Sequence, residues 1–94
     1  MAPEVVRVRA VVHGRVQMVG FRAFVIWHAG DAGLSGTVRN APDGTVETVL
    51  EGPRPAVERM LDRLREGPSH ARVDRVDLEY SNPTGSLPAM MVAS

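Results

Sequence analysis

Small apolar residues occupy every even position from Val6 to Val12, while Arg7 and Arg9 interrupt the odd ones. Period two over eight residues predicts a strand, Val5–Val12, with one buried face. Val5 and Val11 give its second face apolar positions as well, as a central strand has. Beyond a short glycine-containing stretch the period changes. Phe21, Phe24, Val25, His28 and Ala32 fall at i, i+3, i+4, i+7 and i+11, one stripe of a helix that Gly33 stops. Trp27 lies off that stripe, and Gly30 inside it costs up to about 1 kcal/mol relative to alanine.

Ser35–Asn40 and Thr45–Glu51 are two β-rich runs on either side of Ala41-Pro42-Asp43-Gly44, and Pro-Asp-Gly is turn chemistry. They predict an antiparallel hairpin. Glu51-Gly52-Pro53 reads as the break after its second strand, and Pro55 suits the first turn of a helix, where its missing N–H is harmless. Val57, Met60, Leu61 and Leu64 supply that helix's buried face, with Glu58, Arg59 and Arg63 outside and Gly67-Pro68 as its end. Val73, Val76, Leu78 and Tyr80 mark another strand. The remainder, 81–94, holds two prolines and a glycine around Ala89-Met90-Met91-Val92, and reads as a short edge strand or a loose tail.

Strand, helix, strand, strand, helix, strand is the split βαβ order. It predicts an α+β fold, a ferredoxin-like βαββαβ sandwich with two helices on one face of an antiparallel sheet, possibility of a fifth strand included. One domain is expected over 1–94, with its core in about 5–80. In this topology the first and second strands run parallel with the third between them. The loop after strand one and the end of strand two then emerge at one edge, two strand spacings or about 10 Å apart. That gap accommodates a phosphate-sized anion on the loop, with Asn40 facing it across room for a water.

Composition narrows the chemistry. The chain has 94 residues, 44% hydrophobic and 23% charged, an ordinary globular balance that argues against disorder. No apolar run is long enough to span a bilayer, and the first residues lack the pattern of a signal peptide, so a cytoplasmic protein is expected. A monomer is expected for so small a chain. Absence of cysteine agrees with the cytoplasm and excludes disulfides, zinc-thiolate sites and a cysteine nucleophile. All eleven basic residues are arginine, which excludes a phosphate-loop lysine and a Schiff base. Eleven acidic residues balance them, so no general attraction to nucleic acid or membrane follows, and any anion binding is local. His13, His28 and His70 are isolated from one another and from metal-ligand spacings; His28 reads as a residue at the edge of the core.

The stretch from His13 to Arg22 supplies such a local site. It joins the first strand to the first helix and contains two glycines and two arginines. The N–H groups of Gly14, Arg15, Val16, Gln17, Met18, Val19 and Gly20, with the helix N-terminus behind them, converge on one point and attract negative charge. Arg22, in the first helical turn, opposes the macrodipole at a cost of a few tenths of a kcal/mol up to about 1. Stability alone would not choose it there. Its guanidinium is a planar fork of donors suited to phosphate or carboxylate. Taken singly, Arg22 reads as a solvated surface arginine and Asn40 as a turn residue bonded locally; taken with the loop, both read as site residues. Arg15 and Arg39 read as solvated, and Gln17 as a loop-shaping residue.

Gly14-Arg15-Val16-Gln17 with Val19-Gly20-Phe21-Arg22, then Gly33-Leu34-Ser35-Gly36, Val38, Asn40, Asp43-Gly44 and Glu51-Gly52, resemble the two signature blocks of the acylphosphatases. The similarity runs from about Val6 to Tyr80. It implies a small ferredoxin-like sandwich that hydrolyses the carboxyl-phosphate bond of acyl phosphates to carboxylate and inorganic phosphate, without metal or cofactor. It also implies that Arg22 and the loop amides hold the phosphoryl group and that Asn40 orients the attacking water. The residues fit that chemistry, because an acyl phosphate already carries a good leaving group and asks for positioning and charge stabilisation.

One position departs from the pattern. Met18 stands where the family's loop normally has glycine, and a methionine forced into a left-handed conformation is strained by roughly 1–2 kcal/mol. Its N–H remains, so reduced but not absent activity is expected. Two readings stay open at this point: an acylphosphatase, or a non-catalytic phosphate-binding domain whose turnover Met18 has impaired. An RNA-recognition module of the same topology would stack bases on aromatics of its central strands, and Thr45–Glu51 has none.

Overall fold

Alternation along the first strand fixes what the sheet does with its two faces. The computed structural model describes residues 3–93; Met1, Ala2 and Ser94, at the ends of the expected 1–94 span, lie outside the described residues. The elements are β1 (Val5–Arg15), α1 (Phe21–Asp31), β2 (Ser35–Asn40), β3 (Val46–Pro53), α2 (Arg54–Glu66), β4 (Arg72–Ser81) and β5 (Met91–Val92). Antiparallel pairing sets Val8 opposite Leu50, Ala10 opposite Thr48 and Val12 opposite Val46. All six are buried beneath the helices. Thr48, the polar member, satisfies its hydroxyl by donating to the Thr37 carbonyl at 2.8 Å.

The strand order is β4-β1-β3-β2-β5. The first four strands pair antiparallel, and β1 and β2 are therefore parallel with β3 between them. α1 packs Phe21, Val25 and Ala29 against this sheet, and α2 packs Ala56, Val57, Met60, Leu61 and Leu64. Trp27 stays outside, as its place off the stripe predicts. The ferredoxin-like α+β architecture expected from the element order is the one observed.

Two boundaries differ from the sequence-based expectation in ways that bear on the loop and the sheet. β1 continues to Arg15, so Gly14 and Arg15 belong to a strand and not to the turn. Their pairing with Val73 and Arg72 follows a register shift at His13/Gly14, a β-bulge. Gly14 sits there at φ +132°, and a Cβ would collide with the Arg72 carbonyl oxygen, so only glycine lets the two backbones approach. Glu51-Gly52-Pro53 does not break β3. Pro53 is its last residue, opposite Val5 at the end of the ladder, where a missing N–H removes no bond.

Of the 81–94 stretch, the described residues form the edge strand and not a loose tail. β5 runs parallel to β2, with Thr37 opposite Met91 and Val38 opposite Val92, which makes the sheet mixed. To reach that edge from β4 the chain crosses the face that the helices leave open. Glu51, 7% exposed, holds the crossing by accepting from the Thr84 N–H at 3.0 Å and the Gly85 N–H at 2.9 Å. Arg7 adds a bond to the Thr84 hydroxyl at 2.9 Å.

Candidate active site

Two buried residues fix the loop between β1 and α1. Val16 and Phe21 lie in the core, so the intervening Gln17–Gly20 must bridge them at the surface. Gln17 turns inward and donates from Nε2 to the Ala41 carbonyl at 2.8 Å and the Thr45 carbonyl at 2.9 Å. The same two carbonyls close the β2–β3 turn, accepting from Gly44 N–H and Ala41 N–H respectively. Asp43 completes it, its carboxylate accepting from the Thr45 N–H and hydroxyl. Those bonds hold the Asp43 carboxyl below its ordinary value.

Gly20 ends the loop in a left-handed conformation and is the N-cap of α1, with no side chain capping the helix and no acidic residue in its first turn. Among the described residues, the N–H groups of Gln17, Met18, Val19 and Gly20 donate to no backbone acceptor. The first turn of α1 adds its own unpaired N–H groups, and Met18 and Gly20 line a concavity beside it. Met18 is the only non-glycine at positive φ among the described residues, at +61°, and its side chain is 99% exposed. Met18 thus adopts the left-handed conformation on which the expectation of strain rested.

Arg22 and Asn40 both open onto the cavity beside this loop. Parity explains Asn40: it shares a face with the buried Val38, so its carboxamide points to the helix side of the sheet, beside the start of α1. Among the described residues the Asn40 side chain makes no hydrogen bond, so it is not consumed by the turn that follows it. Among the described residues seven arginines are in ion pairs, namely Arg7, Arg9, Arg39, Arg54, Arg65, Arg72 and Arg75, and Arg22 is not. Arg39, one residue from Asn40, faces the opposite side of the sheet and pairs with Glu47. Gly14 and Arg15 lie before the concavity, in β1.

The acylphosphatase family profile matches residues 8–87. This chain belongs to the acylphosphatase family. An acylphosphatase of Deinococcus radiodurans is 51% identical over 79 residues, covering 84% of this chain and 91% of that protein. One from Thermus thermophilus is 48% identical over 79 residues, covering 84% and 90%. Among solved structures, the acylphosphatase from Bacillus subtilis superposes with a TM-score of 0.91 at 31% identity, covering 95% of this chain and 99% of that one. Within an acylphosphatase the uncommitted pair, Arg22 and Asn40, gains a chemical context. Gln17 gains one as well: sequence reasoning gave it only a loop-shaping role, whereas its two bonds tie the loop to the strand end that carries Asn40.

Among the described residues no group of three or more histidine, cysteine or acidic side chains is placed to hold a metal ion. Among the described residues no helix is long and apolar enough to cross a membrane.

Proposed function

We propose that Arg22 and the loop amides bind the phosphoryl group of an acyl phosphate and that Asn40 orients the water that hydrolyses it. Hydrolysis of acyl phosphates is the activity of the family to which this chain belongs. The observation that carries the assignment of residues is that the one guanidinium and the one carboxamide lining the cavity beside the loop have no ion-pair or side-chain hydrogen-bond partner among the described residues. Val16, Gln17, Met18, Val19 and Gly20 supply the frame, and Gly14 and Arg15 hold its start in the sheet.

Water attacks phosphorus as the bond from phosphorus to the bridging oxygen breaks, and the carboxylate departs with the electron pair. The carboxylate is a weak base, so its departure asks for no strong general acid. An asparagine amide does not take up a proton at ordinary pH, so the proton of the water goes to a phosphoryl oxygen. Arg22 and the amides offset charge on the equatorial oxygens in a fixed arrangement, worth about 2.7–4 kcal/mol per well-placed donor in comparable sites. Orientation of water by Asn40 supplies the rest.

An assay with benzoyl phosphate tests this reading. Arg22→Ala is expected to lower kcat/KM about a thousandfold and Asn40→Ala about a hundredfold, with both variants folded. Binding of inorganic phosphate without hydrolysis by the unmodified chain would favour the non-catalytic alternative. A cytoplasmic monomer of one domain, acting on a small molecule and not on nucleic acid, belongs to the same proposal. Arg9, Arg39 and Glu47 occupy the open face of β1, β2 and β3, where a base-stacking surface would need aromatics.

A further inference from the structure

A phosphoryl group and one water fill little of the cavity beside the loop. Its volume is about 540 Å³, within the range of roughly 300–1,000 Å³ typical of pockets for whole small molecules. Apart from Arg22 and Asn40, every side chain on its wall is apolar. Ala23, Ile26 and Trp27 contribute from the flank of α1, and Val92 from β5 on the far edge of the sheet. Trp27 is 66% exposed and Val92 48% exposed. With Met18 at the loop, three of the large apolar side chains left at the surface surround this one cavity. Apolar surface gathered beside a polar centre marks a ligand-binding wall.

The Trp27 ring is also held. It meets His28 edge-on at 5.0 Å between centroids, and His28 meets Phe24 in the same way at 4.5 Å. A flat aromatic surface is therefore presented beside the cavity.

We propose that this wall receives the acyl group, and that the protein selects acyl phosphates with a bulky apolar, above all aromatic, acyl group. Trp27 and Val92 are its specificity-determining residues. The inference rests on the phosphoryl reading of Arg22 and the loop, because the mixed anhydride then leaves its acyl carbon within a bond or two of that loop, against this wall. An acyl group carrying its own carboxylate or phosphate would lose hydration there without gaining a partner. A short acyl group such as acetyl would leave most of the wall wet.

The test is the ratio of kcat/KM for benzoyl phosphate to that for acetyl phosphate, in which the intrinsic reactivity of each substrate cancels between variants. Trp27→Ala is expected to lower the ratio about tenfold, chiefly through KM for benzoyl phosphate, and Val92→Ser about threefold. Tyr80→Ala, an exposed aromatic on β4 remote from the cavity, is expected to leave it unchanged. Trp27 is the only tryptophan, so in the unmodified protein saturated with inorganic phosphate its emission is expected to shift on titration with benzoate and not with acetate. A ratio that is the same in Trp27→Ala and Val92→Ser as in the parent, or an emission that responds equally to both carboxylates, overturns the proposal. Failure of the phosphoryl reading looks different: Arg22→Ala would then turn over both substrates fully.

Discussion

Gln17 and Ala41, 24 residues apart in sequence, are joined by one hydrogen bond of 2.8 Å from a side-chain amide to a carbonyl. That bond and its companion to Thr45 tie the β1–α1 loop to the strand end that carries Asn40. Gln17→Ala leaves each carbonyl with its turn partner, so the expected loss of stability is only about 1–2 kcal/mol. Under the proposed roles of the loop and Asn40, misplacement of water and phosphoryl group relative to one another is the larger effect. Steady-state kinetics are expected to show kcat lowered ten- to a hundredfold, while urea unfolding shows a folded protein.

Met18 at φ +61° stores strain in the loop proposed to bind the anion. Met18→Gly removes it, and because the side chain is exposed it removes almost no packing. Calorimetry is expected to show phosphate bound several-fold more tightly. Stability is expected to rise by no more than about 1 kcal/mol, since glycine also gives the unfolded chain more freedom. A variant that binds phosphate no better would mean that the loop is not strained.

Gly14→Ala sets a methyl group against backbone of β4, which has no flexible end to move aside. The expected loss is about 3 kcal/mol or more, measured by urea titration, with the β1–β4 ladder opening beside the loop.

Acid should unfold the open face of the sheet first. Burial raises the Glu47 carboxyl, but hydrogen bonds from Arg9 and Arg39 outweigh it and hold the group below its ordinary 4.5. Asp77 behaves alike: burial opposes its charge, and Arg75 and His13 overcome it to lower the carboxyl below 3.8. In the carboxylate range the unfolded chain then binds more protons than the native one. These pairs therefore stabilise fully above about 4.5, and the contribution disappears as pH falls through the lowered native values. Tm is expected to be level with respect to these groups down to about pH 5 and to fall below it, less steeply in Glu47→Gln.

Glu51 secures the crossing to β5 through two backbone N–H groups, and Glu51→Ala leaves both without it. The expected cost is about 2–3 kcal/mol. Hydrogen exchange should locate part of the effect at Ala93, whose N–H donates to the Val38 carbonyl beyond the crossing, and which is expected to exchange faster.

Much of the fold could be read in advance because it depends on periodicity. Val6 to Val12 alternate, Phe21 to Val25 follow the helical repeat, and the hairpin carries its own turn residues. Asn40 was legible too, since its parity with Val38 fixes the side it faces. Gly14 was not: whether glycine makes a turn or a bulge depends on how near another strand runs, and Arg72 is 58 positions away. The two bonds of Gln17 likewise exist only once the hairpin has been brought against the loop. Val92 and Trp27 were hidden because alternation and helical repeat report what is buried, whereas both are notable for remaining uncovered beside a cavity.

β1 is the earliest strand to be synthesised and among the last to be completed. One edge waits for β3 and the other for β4, where Arg7 meets Ser81. A nascent chain that has produced only β1, the loop after it and α1 therefore has no finished platform beneath them. Assembly must follow synthesis of nearly the whole polypeptide, and its pace is governed by the search for distant pairings, which places folding of such mixed topologies between that of helical bundles and that of all-β barrels.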